Sequence, residues 1–560
     1  MRRLTQHTLL SLPLLLASAG LVACSDDSSG EDESNIGSDG TGGGADDFGE
    51  EGEEGDELGS DGETGTGGDT TGDDGWGEDE GTDGGDATDG GELDTGEEGE
   101  EEESTSEEET DTTETGDPMC DEETPITLYL SPDDSNSMSS PVQVRDWVLN
   151  YGGNSLSGFP IRTWEFMNYY GFDYDPAADG ELSVYAAMNP IEGEGDEARF
   201  QMQIGVASEL MTPEERPPMN VTLVLDTSGS MAGTPIELLR ETSRAIAAQL
   251  KLGDTVSICE WDTSNDWTLA GYAVTGPNDE LLLEKINDVV HGGGTNLYGG
   301  LESGYELAQM VYDPDAINRL VLISDGGANA GITDLDLIAE NAAYGGSDGI
   351  YLVGVGVDDP DDYNDELMDA VTDAGKGASV FMPSEEEVWT TFGDNFESVM
   401  AIAAREVQVQ LDMPPGFEVV KFSGEEISGD PKEVEPQNLA PNDTMVFYQQ
   451  VETCAPDLAG EDAEVTVTVT WDDPWTFESQ ELAQTWTIGE LTGMDQALLL
   501  KGAAILAYTD ALKAFKQAYT NDQKAAALQP ALDALALAQT ANDTDGDLIE
   551  IGQILGALMN

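Results

Sequence analysis

The chain is 560 residues long, enough for several domains, and carries 117 Asp+Glu against 19 Lys+Arg, a formal net charge of −98. So acidic a surface repels phosphate backbones, which excludes nucleic acid as a partner and favours divalent cations or basic proteins. Histidine occurs only at positions 7 and 291, which leaves little material for a Ser-His-Asp, Cys-His or His-based zinc device.

Residues 1–24 have the form of an export signal. Arg2 and Arg3 make a basic start, and Leu9 to Leu16 is an apolar core too short to span a bilayer. Leu21-Val22-Ala23-Cys24 resembles a bacterial lipobox, which implies cleavage before Cys24 and lipid on its thiol. The expectation is a lipid-anchored protein of the bacterial cell envelope. Ser25 stands where an inner-membrane retention signal has Asp, which favours the outer membrane and leaves both faces open.

Residues 25–118 hold 39 acids and no Lys or Arg, interleaved with Gly, Ser and Thr. No hydrophobic periodicity survives there, so the segment is expected to be a disordered acidic linker that holds a folded body away from the membrane. The remaining cysteines are Cys120, Cys259 and Cys454. Cys259 lies in an apolar run and is expected to be buried, whereas Cys120 and Cys454 could pair in an oxidising compartment.

Residues 119–218 read as a mixed region, with a helix near 142–150 and alternating strands at 182–186 and 199–206. Residues 219–400 alternate strand and helix. Val221–Leu225, Thr255–Glu260, Leu320–Ile323 and Ile350–Val357 read as strands, and Thr234-Pro235-Ile236-Glu237 reads as a capping box opening a helix. Further helices are expected over Glu280–Val290 and Leu301–Tyr312. This rhythm predicts an α/β fold, a doubly wound and mainly parallel sheet. Residues 401–492 change to a period of two at Val407/Val409/Leu411, Val465/Val467/Val469/Trp471 and Trp486/Ile488, which predicts antiparallel β of sandwich type. With strands on either side of the α/β unit, the β domain is expected to be split in sequence with the α/β domain inserted. Residues 493–560 are Ala- and Leu-rich and predict a helical region broken near Thr520–Asp522 and Asn542–Gly546. The Asn542–Asp547 run lacks the spacing of a calcium loop and reads as a turn with a helix cap.

Three polar loops follow the apolar runs of the α/β region. They carry Asp226, Ser228 and Ser230, then Thr295, then Asp325. All five side chains offer oxygen, the donor set of hard divalent cations, and ligands in such sheets bind beyond the carboxyl ends of the strands. The pattern Asp-x-Ser-x-Ser with a distal Thr and a distal Asp closely resembles the metal-ion-dependent adhesion site of von Willebrand factor type A domains. The resemblance implies Mg²⁺ (or Mn²⁺ or Ca²⁺) as cofactor, with an open coordination position for a carboxylate of a protein or matrix partner. Arg162-Thr163-Trp164-Glu165-Phe166-Met167-Asn168-Tyr169-Tyr170, with Tyr174-Asp175, resembles the N-terminal segment of a bacterial subfamily of exported type A-domain proteins. The function expected is envelope-anchored, metal-dependent binding or adhesion without catalysis, the alternative being a structural or assembly subunit of an envelope complex.

Overall fold

The computed structural model describes residues 123–132, 137–191, 198–328, 331, 342, 349–361 and 363–559. The signal segment, Cys24, the acidic linker and Cys120 lie outside the described residues. The described chain opens with strand β1 (Ile126–Ser131), helices α1 (Ser139–Leu149) and α2 (Thr163–Tyr169), and strands β2 (Ser183–Ile191) and β3 (Ala198–Ala207). Phe166, Tyr169 and Tyr170 are all buried, so the aromatic run of α2 is packing material.

The α/β domain follows. It contains β4 (Met219–Asp226), α3 (Thr234–Gln249), β5 (Thr255–Trp261), β6 (Asn265–Ala273), α4 (Glu280–Asp288), α5 (Leu297–Met310), β7 (Ile317–Ser324), β8 (Tyr351–Gly356), α6 (Asp365–Ala374) and β9 (Ser379–Phe381). The strand order is β6-β5-β4-β7-β8-β9. Every pair is parallel except β5 with β6. Each residue of β4, β7 and β8 is buried, which is why these strands read as continuous apolar runs rather than alternations. Strand β6 went unseen in the sequence because it is an edge strand, polar and mostly exposed. Two short helices, α7 (Glu385–Trp389) and α8 (Phe396–Met400), close the domain.

Strands β10 (Ala404–Met413), β11 (Phe417–Phe422), β12 (Glu426–Ser428), β13 (Gln437–Leu439), β14 (Thr444–Thr453), β15 (Glu464–Asp472) and β16 (Ser479–Thr487) then complete two antiparallel sheets begun before the α/β domain. One runs β12-β1-β10-β15-β16 with β13 beside β10, the other β11-β14-β3-β2. Their inner faces share one core, in which Val409, Leu411, Val467 and Val469 meet Met188, Met202, Ile204 and Phe447. The chain therefore leaves a sandwich after β3, builds the α/β domain, and returns to pair β14 with β3 from Thr444↔Ala207 to Thr453↔Ala198. Cys454, just past β14, is disulfide-bonded, while Cys259 is buried and free. The partner of Cys454 lies outside the described residues.

The chain ends in helices α9 (Ile488–Thr492), α10 (Ala497–Gln517), α11 (Asn521–Ala541) and α12 (Gly546–Leu558). Thr520 and Gln523 form a capping box at α11. Asp545 caps α12 by accepting from the Asp547 and Leu548 amides, so the acidic turn is a cap as its spacing indicated. Lys501 of α10 is buried between Asp545 (2.9 Å) and Asp547 (2.8 Å). Among the described residues no helix is long and apolar enough to cross a membrane.

Three local expectations fail. The Thr234–Glu237 capping box does not form: Gly233 is the N-cap and no side chain caps the helix. Thr234 already lies in the first helical turn, and Glu237 reaches forward to Arg240 at 2.6 Å instead of back to the cap. Helix α5 begins at Leu297, four residues before Leu301, because the Asn296 side chain accepts from the Gly299 amide and caps it there. Ile488 opens α9 rather than continuing the alternation of β16, since Thr487 and Glu490 form a capping box.

Candidate metal centre

Strand β4 ends at Asp226, wholly buried, and the chain turns at once. Asp226 Oδ1 accepts from the Ser228 amide at 2.8 Å, and Oδ2 accepts from the Ser324 hydroxyl at 2.6 Å. The carboxylate is thus fixed by its own turn on one side and by the end of β7 on the other. Ser228 is buried and Ser230 exposed, and their hydroxyl oxygens lie 3.0 Å apart.

The second loop is tied to the first by backbone bonds. The Gly292 amide donates to the Thr227 carbonyl at 2.6 Å, and the Gly229 amide to the Gly293 carbonyl at 3.2 Å. Gly293 has φ +87°, and a Cβ there would fall 2.4 Å from Asp262 Oδ2, so only glycine fits this crossing. The loop delivers Thr295, which is 1% exposed, directly ahead of α5.

The third loop carries Asp325, 6% exposed, after β7. Its Oδ1 accepts from the Gly327 amide at 3.0 Å. A Cβ placed on Gly327 would lie 3.1 Å from Asp325 Oδ1, 3.5 Å from Thr295 Cγ2 and 3.8 Å from Ser230 Oγ. Asp325, Thr295 and Ser230 therefore converge on one point. Ser228 joins them through Ser230, and Asp226 through the Ser228 amide. The structure brings together all five residues singled out in the sequence. His291 is exposed in the same loop region.

The electrostatics suit a cation. Burial pushes the Asp226 carboxyl up to about 6, against the hydrogen bonds from Ser324 and Ser228, and the Asp325 charge adds to the rise. Two acidic groups are held close at one sheet edge, so a positive ion would relieve both burial and repulsion. Among the described residues no group of three or more His, Cys, Asp or Glu is placed to hold a metal. An ion here would accordingly rely on hydroxyl oxygens alongside two carboxylates, and on water, which fits Mg²⁺ or Mn²⁺ better than zinc. The donors fit such an ion.

Ser324 is a further residue of the site that the sequence pattern did not single out. It lies directly before Asp325, and its hydroxyl also accepts from the Gly326 amide at 3.0 Å. A hydroxyl at the end of a fully buried strand is a signal in itself, because such a group needs a partner.

Residues 220–394 match the family model of the von Willebrand factor type A domain, and the chain contains such a domain. Domains of this family are generally adhesion or protein-interaction modules. The chain is 24% identical over 267 residues to the uncharacterized protein YfbK of Escherichia coli K12, covering 46% of this chain and 45% of that one. It is 24% identical over 268 residues to mouse inter-alpha-trypsin inhibitor heavy chain H2, covering 45% of this chain and 28% of that one. Among solved structures, a von Willebrand factor type A protein from Catenulispora acidiphila aligns with TM-score 0.44 and 15% identity, over 66% of this chain and 89% of that one. The chain spans about half or less of the length of the curated relatives named here.

Proposed function

We infer that the protein is an envelope-anchored binding protein that captures a partner through a divalent ion. Asp226, Ser228, Ser230, Thr295 and Asp325 would hold Mg²⁺, or Mn²⁺ or Ca²⁺ in its place. A carboxylate from a protein or matrix partner would complete the shell. The observation that carries this reading is the convergence of the three loops on one point, with Asp226 buried and its carboxyl pushed up to about 6. The ion supplies charge and open coordination positions. The chain supplies the rest: Asp226 and Asp325 balance the charge, the hydroxyls of Ser228, Ser230 and Thr295 orient the donor set, and Ser324 holds Asp226 in place.

Binding is the activity this arrangement supports, since the described side chains at this edge are carboxylates and hydroxyls suited to a divalent ion. The lipobox-like Leu21–Cys24 supports attachment to a bacterial membrane through lipid on Cys24, with the acidic linker 25–118 as tether. The outer membrane is the favoured location.

The test is calorimetric titration of Mg²⁺ and Mn²⁺ into the chelated protein beside Asp226→Ala, at a salt concentration that suppresses diffuse binding to the acidic linker. A saturable site present in the wild type and lost in the variant supports the reading. Diffuse binding unchanged by the substitution sinks it.

A further inference from the structure

The Asp325 loop is held by Asn364 at the start of α6, and that start is tied to residues that precede the α/β domain. The Asn364 amide donates to the Asp325 carbonyl at 3.3 Å. Asn364 also presses on Gly326, which has φ +80° and whose missing Cβ would fall 2.7 Å from the Asn364 carbonyl oxygen and 2.9 Å from its Cβ. Asn364 is the N-cap of α6, and the next residue, Asp365, is 7% exposed and has donors on both carboxylate oxygens.

Those donors come from far upstream. Asp365 Oδ1 accepts from the Ser139 hydroxyl at 2.7 Å and the Gln143 amide at 2.5 Å, and Oδ2 accepts from Arg162 at 2.6 Å. Arg162 is shared. Its Nε also meets Glu165 at 2.7 Å and Asp369 at 3.4 Å. Glu165 is wholly buried and accepts from the Ser140 amide at 2.5 Å. One guanidinium therefore ties three carboxylates on two helices, α2 and α6, with α1 bonded to two of them. Thr163, beside Arg162, accepts from Lys513 of α10 at 2.7 Å, which fixes this knot to the helical end as well.

We propose that Arg162 and Asp365 are positioning residues for the ion site, holding the start of α6, and through Asn364 the Asp325 loop, in the arrangement that binds. This rests on the metal-binding reading above. The physical reason is the order of the contacts. Asp365 and Asn364 are adjacent in the chain, so a shift of one moves the other, and Asn364 bonds the very residue whose carboxylate faces the site. Without Arg162, Asp365 and Asp369 lose their common cation and repel, and Glu165 loses its partner. The start of α6 is then free to move, and Asp325 with it.

The experiment is Mn²⁺ titration of the full chain by calorimetry, in high salt and well below the unfolding temperature. Arg162→Met is expected to weaken binding by up to about tenfold, the low end of the loss seen when a ligand's own hydrogen-bonded partner is removed. Asp365→Asn keeps the shape and is expected to weaken it in the same direction by less. Arg162→Lys keeps one charge and is expected to fall between wild type and Arg162→Met. Lys501→Met breaks a comparably buried pair at the helical end and is expected to leave the affinity unchanged. A merely structural role for Arg162 would not separate these variants. Wild-type affinity in Arg162→Met and Asp365→Asn, with binding still lost in Asp226→Ala, overturns the positioning role and spares the site. An equal loss in Lys501→Met overturns it as well, since the effect would then be general loosening. The absence of any saturable site in the wild type overturns both readings together. Should Arg162→Met fail to fold, Asp365→Asn decides.

Discussion

The two ends of strand β4 hold buried carboxylates in opposite ways. At the entry, Asp254 receives the Arg216 guanidinium at 2.7 Å, with both side chains fully buried, and accepts from the Met219 amide at 2.9 Å and the Lys251 amide at 2.8 Å. Arg216 also lies 3.9 Å from Glu397 and over the Phe396 ring. At the exit, Asp226 accepts from an amide and a hydroxyl, and the like charge of Asp325 acts on it. The entry is neutralised within the protein, and the exit is not. A buried charge with its own counter-ion is a structural fixture, whereas a buried carboxylate facing another invites a cation from outside.

Breaking the entry is expected to have the larger effect on folding. Asp254→Ala strands the Arg216 charge in a closed core and is expected to destabilise the protein by about 3–5 kcal/mol, read from urea unfolding. Ion binding sharpens the contrast from the other end. Mg²⁺ at a hundredfold excess over its dissociation constant is expected to add about 2.7 kcal/mol to the wild type, reversed by EDTA and absent in Asp226→Ala. In EDTA, Asp226→Ala itself is expected to be worth only about 1–2 kcal/mol, because it removes hydrogen bonds and a burial penalty together. Equal destabilisation by Asp254→Ala and Asp226→Ala in EDTA would break the comparison.

A pH dependence is expected at a third buried carboxyl, Glu165. Burial pushes Glu165 up from 4.5 to about 8, outweighing the Arg162 charge beside it. An acid raised in the folded state contributes stability below its unfolded pKa and loses it as the pH rises through the folded one. Stability is therefore expected to decline between about pH 4.5 and 8 through this group. Glu165→Gln should flatten that decline, measured as urea midpoints across the range. A profile unchanged by the substitution would show that Glu165 does not titrate in this window.

Much of this arrangement was legible in the sequence because it is local. Asp226 and Asp325 stand where a fully buried strand stops, and that boundary shows in the residues themselves. Thr295 stands after three glycines, one of which the loop crossing requires. Alternation at Val465, Val467 and Val469 announced a strand with one buried face. What escaped was either polar, as in β6, or distant. Arg162 and Asp365 are 203 residues apart, and Ser324 and Asp226 are 98 apart. No periodicity connects such pairs.

The sequence by itself determined the acidic character of the chain, the alternation of strand and helix, and the five oxygen-bearing side chains at strand ends, because composition and period are properties of neighbours along the chain. Only the tertiary structure decided which buried carboxylate receives an arginine and which is left facing another acid. It also decided that β3 and β14 join across the inserted domain. Desolvation and pairing depend on what arrives from far away in sequence, and packing alone settles which group stands beside which.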